Sequence, residues 1–370
     1  MIQMYVDGTL IWEAGSIDDE VKAYDPILTD EFLKVPTLKF TIPKTNAGWN
    51  LINPITSRIW VKENGSIIFY GRPLTIDTTF DQRKAVLCES SLGFMRDIQI
   101  KQEVNFGRNA VQDALKVLFV DVVEGSTHFI QGYNSLCDAA NKIYLDEWFS
   151  DETRTSAQLD GESGARSSLD AVWTLAKKYN CAVWASWAES GSTIIPYFNF
   201  AECALMEEYP LTPLDVQQIK FGRNLISLDE ELDTTGVFTR IYAHDTTNDV
   251  WYSYQNDSHV AAYGKIVVAQ DFDVSGYSDA SAGRIAEAQK YYNANAYPIL
   301  IRSVKAVDAV NLGANYRRFR VGWYYDVVSP PHGINERMMC QRIVRNLEKP
   351  GRDSYEFGQV KRTLTERLVR

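Results

Sequence analysis

The chain has 370 residues, a formal net charge of −10 and an apolar share of 45%. That length predicts about two to four domains, and the apolar share supports real cores, so a disordered chain is excluded. The acidic balance excludes stable nucleic-acid binding, which needs a basic footprint. With 20 Tyr and 9 Trp, the composition favours strands and broad contact surfaces. The five cysteines, Cys88, Cys137, Cys181, Cys203 and Cys340, are odd in number and widely spaced, with no CxxC pair. They read as free, buried thiols of a protein made in a reducing cytosol. The opening MIQMYVDGTL lacks a basic stretch followed by an apolar one, so no signal peptide is expected. No apolar run approaches the ~20 residues that span a bilayer, so neither a membrane anchor nor export by the general route is expected.

Residues 1–100 read as strands. Met4 to Val6 and Leu10 to Trp12 flank an Asp7-Gly8 turn, and Arg58 to Lys62 and Ser66 to Tyr70 flank Glu63-Asn64-Gly65. Both are hairpin signals. Leu38, Phe40 and Ile42 alternate with Lys39 and Thr41, giving one dry face. Leu74 to Asp77 and Ala85 to Glu89 read as further strands around a charged connection. Six or seven short strands in about a hundred residues predict a small barrel or sandwich.

From residue 101 the period changes. Residues 109–120 and 167–179 carry apolar residues at helical spacing, with Ser167 or Ser168 as the second helix's cap. Residues 121–166 are poorly patterned, and AQLDGESGAR at 157–166 reads as an exposed loop. Residues 181–187 and 193–200 read as a strand pair. Residues 219–244 form a seam: a Gly-Arg-Asn turn and a polar run precede a strand over 237–242. Residues 250–254 continue as strand, 276–295 as the longest helix, and 299–310, 321–328 and 337–344 as strands. Residues 353–370 read as a last strand and a tail. Two echoes recur: residues 67–90 and 337–360 share a strand–turn–strand outline, and Phe106-Gly107-Arg108-Asn109 returns as Phe221-Gly222-Arg223-Asn224. The first echo is what a duplicated barrel would leave.

Candidate chemistry is thin. His128, His244, His259 and His332 form no HExxH and no i, i+4 pair, and read as surface or turn residues. Cys137 near His128 lacks the signature of a thiol protease. There is no GxSxG and no phosphate loop. Asp146-Glu147 and Asp151-Glu152 around Trp148-Phe149 raise glycan hydrolysis, which needs two carboxyls at a set separation across a groove. A solvated loop explains them as well. Glu207-Glu208 and Glu230-Glu231 read as exposed charge, and Asp271 with Asp273 lacks EF-hand spacing. No catalytic, cofactor-binding or metal-binding residue is assigned.

Several ordered segments resemble one family. FGRNLI with TRIYAH, Ala262-Tyr263-Gly264-Lys265-Ile266, Val304 to Asp308, Arg320 to Val327 and Gln341 to Gly351 are similar in order and spacing to the tail-tip hub proteins of siphophages and prophages. These are the structural N-terminal region of the tail-associated lysin, or prophage tail endopeptidase, family, related in fold to contractile-phage baseplate hubs. Tyr70-Gly71-Arg72 and the run from Cys88 to Asp97 resemble the same family. The resemblance implies an α+β, β-rich fold of two related β-barrel domains with inserted mixed α/β domains. The expected domains are residues 1–100 as the N-terminal barrel, 101–219 as a mixed domain, and 220–255 with 300–352 as the second barrel. Residues 256–299 are a helix-containing insertion packed with 101–219, and 353–370 the terminal strand and tail.

The resemblance further implies a homotrimer whose ring adapts a sixfold tail to a threefold tip and opens for tape-measure protein and DNA. Its partners would be the distal tail protein ring, the tape-measure protein and tail fibre, receptor-binding or tip proteins. It would be assembled in the bacterial cytoplasm and carried in the virion. DNA would pass an acidic wall without sticking. No enzyme activity and no cofactor are expected. The lytic part of the family name is not carried over, because the chain stops at Arg370 soon after the last hub strand. The alternatives are a peptidoglycan hydrolase and a carbohydrate-binding adhesion module.

Overall fold

The computed structural model describes residues 1–97, 99–100, 130–134, 166–179, 181–191, 193–203, 216–272, 274, 277–313 and 316–358. The helix expected over 109–120, the loop at 157–166 for all but its last residue, the Phe106 to Asn109 motif and the tail after residue 358 lie outside them. The chain forms two compact units, one of residues 1–227 and 304–358, the other centred on 228–303. The fold is rich in strands with few helices, and no helix among the described residues is long and apolar enough to cross a membrane.

The first seven strands are β1 (Ile2–Val6), β2 (Thr9–Glu13), β3 (Tyr24–Glu31), β4 (Thr37–Pro43), β5 (Ile59–Glu63), β6 (Ser66–Thr78) and β7 (Arg83–Ser90). The two expected hairpin turns form: Asp7-Gly8 and Asn64-Gly65 all have positive φ, as two-residue turns between twisted strands require. Leu38, Phe40 and Ile42 are buried and pack with Met4, Ile11, Val61 and Phe69 in one core. β6 is one strand of 13 residues where the sequence predicts two short ones. The sequence reading has no strand over β3, which contains Pro26. Proline removes a ladder donor, and here the register shifts between Tyr24 and Ile27, so Pro26 sits in a bulge.

Next come β8 (Gln99–Ile100), β9 (Ile130–Asn134), β10 (Arg166–Ser167), helix α1 (Ser168–Tyr179), β11 (Cys181–Ser190) and β12 (Thr193–Glu202). Ser167 caps α1: its Oγ accepts from the Asp170 N–H at 3.2 Å. β11 and β12 form the expected hairpin, and β9 lies parallel to β12.

β13 (Ile219–Lys220) and β14 (Leu225–Asp233) follow. β14 is the polar run of the seam, and the strand expected over 237–242 starts later, at β15 (Arg240–Asp245), because Val237 and Phe238 are buried outside any ladder. β15, β16 (Val250–Gln255), α2 (Asp257–Tyr263), β17 (Val267–Phe272) and α3 (Ala280–Asn295) make the second unit. Its sheet has the order β16-β15-β17, and Phe238, Ile241, Ala243, Ala288, Tyr292 and Ala296 form its core. Asp279 starts α3 by accepting from the Ser281 and Ala282 N–H groups. The chain ends with β18 (Ile299–Ala306), β19 (Tyr324–Ser329), β20 (Ile334–Asn346) and β21 (Ser354–Gly358).

One strand order occurs twice. β3 to β7 lie in the spatial order β3-β4-β7-β6-β5, and β14 with β18 to β21 lie in the order β14-β18-β21-β20-β19. Both runs are therefore first, second, fifth, fourth, third. An earlier strand adds to the end of each, β1 on β5 and β13 on β19, antiparallel in the first case and parallel in the second. β6 and β20, the fourth strands, both have 13 residues. The two runs join where β3 pairs antiparallel with β20, from Ile27↔Asn346 to Glu31↔Arg342.

Gly71 marks the tightest approach in the first run. It pairs with Ser90, and a Cβ there would lie 1.9 Å from the Glu89 carbonyl oxygen. Backbone cannot yield as a flexible side chain can, so Gly71→Ala is expected to destabilise by about 3 kcal/mol or more, read as a lowered midpoint in denaturant.

Candidate functional site

The described polar clusters sit where strands meet. Arg72 on β6 faces Glu89 on β7; its Nε donates to Glu89 Oε1 at 2.9 Å and its Nη2 to Asp97 Oδ1 at 2.9 Å. Arg96 Nη1 reaches Glu89 Oε2 at 3.2 Å. The Phe94 ring lies under Arg72, with Cζ 4.9 Å from the centroid. Asp97, then burial and Glu89, act on Arg72, and the carboxylates win, raising its pKa. Gly93 leaves room for this cluster, since a Cβ there would lie 2.2 Å from the Glu89 carboxylate. The residues from Tyr70 to Arg72 and Cys88 to Asp97, singled out in the sequence, are thus a buried ion cluster that holds a hairpin.

A second cluster spans the two strand runs. Glu63, at the end of β5, accepts from Arg345 Nη2 of β20 at 2.8 Å and from Arg318 Nη2 at 2.9 Å. Arg318 also donates to Asn311 Oδ1 at 2.8 Å. Asp353, whose pKa burial pushes up, accepts from the Asn346 N–H at 2.8 Å and the Tyr355 hydroxyl at 3.0 Å. Asp308, fully buried, accepts from Gln217 Nε2 at 2.9 Å and caps the short helix after it through the Val310 N–H. The valine-aspartate motif of the sequence is therefore a cap. Gly322, in the motif before β19, has φ +82° and donates its N–H to the Cys340 carbonyl at 2.8 Å.

The histidines are bound in local contacts. His244 lies between Asp249 and Asp271, each at 3.0 Å, and stacks on Trp251 with centroids 4.4 Å apart. His259 Nδ1 is 2.7 Å from the Tyr292 hydroxyl, whose pKa burial pushes up to about 12. His332 Nδ1 is 2.6 Å from Ser329 Oγ, but Ser329 is wholly buried, so this pair closes a turn and offers no nucleophile to a substrate. Glu230 accepts from Arg302 Nε at 2.7 Å. His128, Cys137, Asp146, Glu147, Asp151, Glu152, Glu207, Glu208 and Asp273 lie outside the described residues. Cys88, Cys181, Cys203 and Cys340 are buried, and burial raises the pKa of Cys88 and Cys340, which disfavours the thiolate. Among the described residues no three His, Cys, Asp or Glu converge on a metal position.

One open cleft of about 470 Å³ lies between the β5–β6 hairpin and the β11–β12 hairpin, with Arg58, Trp60, Tyr70 and Thr193 on its walls. Lys62 and Glu189 bridge it at 2.5 Å. The sequence signals nothing here, because the walls come from segments about 130 residues apart.

Residues 214–368 match the family described as prophage endopeptidase tail. Solved structures match over almost the whole chain. A prophage tail protein, gp18, of Listeria monocytogenes EGD-e is 11% identical at a TM-score of 0.53, over 99% of this chain and 97% of that one. The chain has a phage tail protein fold. A tail protein of Neisseria meningitidis MC58 is 15% identical at a TM-score of 0.55, over 96% and 95%. The 43 kDa tail protein of prophage MuSo2 from Shewanella oneidensis is 11% identical at 0.56, over 97% of each chain. No curated protein matches by sequence. At these identities the tail fold is kept while most side chains have changed.

Two expectations follow. Glu63→Gln leaves Arg345 and Arg318 facing a neutral amide, and Arg345 is only 12% exposed at its side chain. Asp353 and Asp308 still stand 3.9 and 3.8 Å from the two guanidinium groups, so the substitution is expected to cost about 1.5–3 kcal/mol, read as a lowered unfolding midpoint. Hydrogen bonds from the protonated His244 ring to Asp249, then to Asp271, hold its pKa above its ordinary 6.5. The stability it adds is complete below the unfolded value and fades as pH rises through the folded one. In an NMR titration, Asp249→Asn is expected to bring that pKa down; an unmoved midpoint would show that Asp249 is not the cause.

Proposed function

We propose that this chain is a structural hub at the distal end of a phage or prophage tail. The observation that carries the reading is the doubled strand order, since a chain with two alike modules can give a ring of three copies a near-sixfold face. Residues 1–100 supply one β-barrel module, and the strands within 219–233 and 299–358 supply the other. Such a ring adapts a sixfold tube above to a threefold tip below and closes the tube until the tape-measure protein and DNA pass. The net charge of −10 suits a lumen that repels phosphate. The family match over 214–368 and the tail fold support the same role. Its neighbours in the virion would be the distal tail protein ring, the tape-measure protein and tip or fibre proteins.

The matched family's description favours one competing reading, a wall-cleaving enzyme. Against it, the described carboxylates at Glu63, Glu89, Asp308 and Asp353 are engaged in ion pairs or caps between strands. Light scattering on the purified protein should give a particle of three 42.0 kDa chains, and class averages should show a threefold ring. A strictly single chain at all concentrations rules the ring out. Clearing of bacterial wall in a zymogram by this chain alone would favour the enzyme.

A further inference from the structure

The cleft between the β5–β6 and β11–β12 hairpins lies within the first compact unit. Strand period sets its first wall: Trp60 and Lys62 project from the same face of β5, with Arg58 one step before them. Tyr70 of β6 is the cross-strand partner of Trp60 and lines the cleft beside it. Tyr5 of β1 is the partner on the other side, and its ring stacks on Trp60 with centroids 5.7 Å apart and planes 12° from parallel. Tyr5 backs the indole and holds it at the wall. Glu189, Thr193 and Ile194 form the opposite wall. That hairpin is fixed by Trp187, whose Nε1 donates to Ser91 Oγ at 3.0 Å, and by the Lys62–Glu189 pair. Walls of paired strands tied at two points give a pre-formed site, and about 470 Å³ lies within the roughly 300–1,000 Å³ of small-ligand sites.

Charge selects the guest. Two cations, Arg58 and Lys62, stand with two carboxylates, Asp7 and Glu189, so the walls are formally neutral. Arg58 Nη1 donates to the carbonyls of Ile55, Thr56 and Ser57 at 2.7, 3.1 and 3.2 Å, and Lys62 is paired with Glu189. Both cations are thus engaged before any guest arrives, and an anion gains little. A purely apolar guest would take water from four charged side chains and return no hydrogen bonds. The chemistry that fits is neutral, with an apolar ring face and many hydroxyls. A sugar ring has both: its C–H face packs on an aromatic ring while its hydroxyls reach polar groups at the rim. Those groups are present. Asp7 gives Oδ1 to the Arg58 N–H at 2.8 Å and keeps a second carboxylate oxygen, and Thr193 is exposed.

We propose that this cleft binds an uncharged oligosaccharide, one sugar ring against Trp60 and its hydroxyls on Asp7, Thr193 and Glu189. The site needs residues of one chain only, so it stands apart from the ring reading. Specificity comes from few polar contacts around one aromatic wall, so affinity is modest and exchange is fast.

The test titrates the full chain separately with chitotetraose and cellotetraose, followed by calorimetry and by ligand-observed NMR. Saturable binding of at least one of them is expected, with a dissociation constant of about 1 mM or tighter. Which one binds separates an amino-sugar glycan, as in a bacterial wall, from a neutral hexose polymer. Trp60→Ala is expected to weaken binding about tenfold or more. Thr193→Arg, which fills the cleft from an exposed hairpin position and leaves the core untouched, is expected to do the same with an unchanged circular dichroism spectrum. Trp251→Ala serves as the control, since Trp251 is 57% exposed in the other compact unit, and is expected to leave binding as it is. No saturable binding of either sugar up to about 10 mM overturns the proposal. So does binding that survives Thr193→Arg or is lost in Trp251→Ala. Each readout is the same for a single chain or a ring, so failure here leaves the hub reading standing.

Discussion

The molecule depends on the seam between β3 and β20. Five residue pairs run from Ile27↔Asn346 to Glu31↔Arg342, extended at the ends by the Leu347 N–H to the Pro26 carbonyl at 2.9 Å and the Phe32 N–H to the Gln341 carbonyl at 2.8 Å. Residues more than 300 positions apart in the chain are brought into register by this ladder. Closing so large a loop is entropically costly, so the ladder needs support from packing around it. Glu63 supplies part of that support, drawing Arg345 of β20 and Arg318 against the end of β5. Buried ion pairs of this kind add little net stability but penalise any arrangement that leaves one partner alone, which favours a single register.

The segments that look most distinctive in the sequence are places where this architecture tolerates few residue types. Gly71 is required by a carbonyl, Gly93 by a carboxylate, and Gly322 by a left-handed backbone. Asp308 holds the start of a short helix while fully buried. Arg72, Glu89 and Asp97 neutralise one another beneath a hairpin. A distinctive motif can thus record geometry alone, with no reaction attached.

Part of this was legible from residues alone. The Asp7-Gly8 and Asn64-Gly65 turns, the alternation through Leu38, Phe40 and Ile42, the capped helix after Ser167 and the β11–β12 hairpin follow from local rules, because turn dihedrals and side-chain periods are set within a few residues. β14 and β3 did not declare themselves. LISLDEELD has no dry face because it is an edge strand, and YDPILTDE hides a bulge behind its proline. These two are the first strands of their runs, so the repetition was visible as an echo of hairpins and not as a complete order.

Residue types and their short-range spacing determined which segments turn, which alternate and which coil. The tertiary structure alone decided which strands are neighbours, because pairing across hundreds of residues is chosen by the joint burial of many faces and no local pattern encodes it. It likewise decided that Glu63 meets two arginines from the far end of the chain.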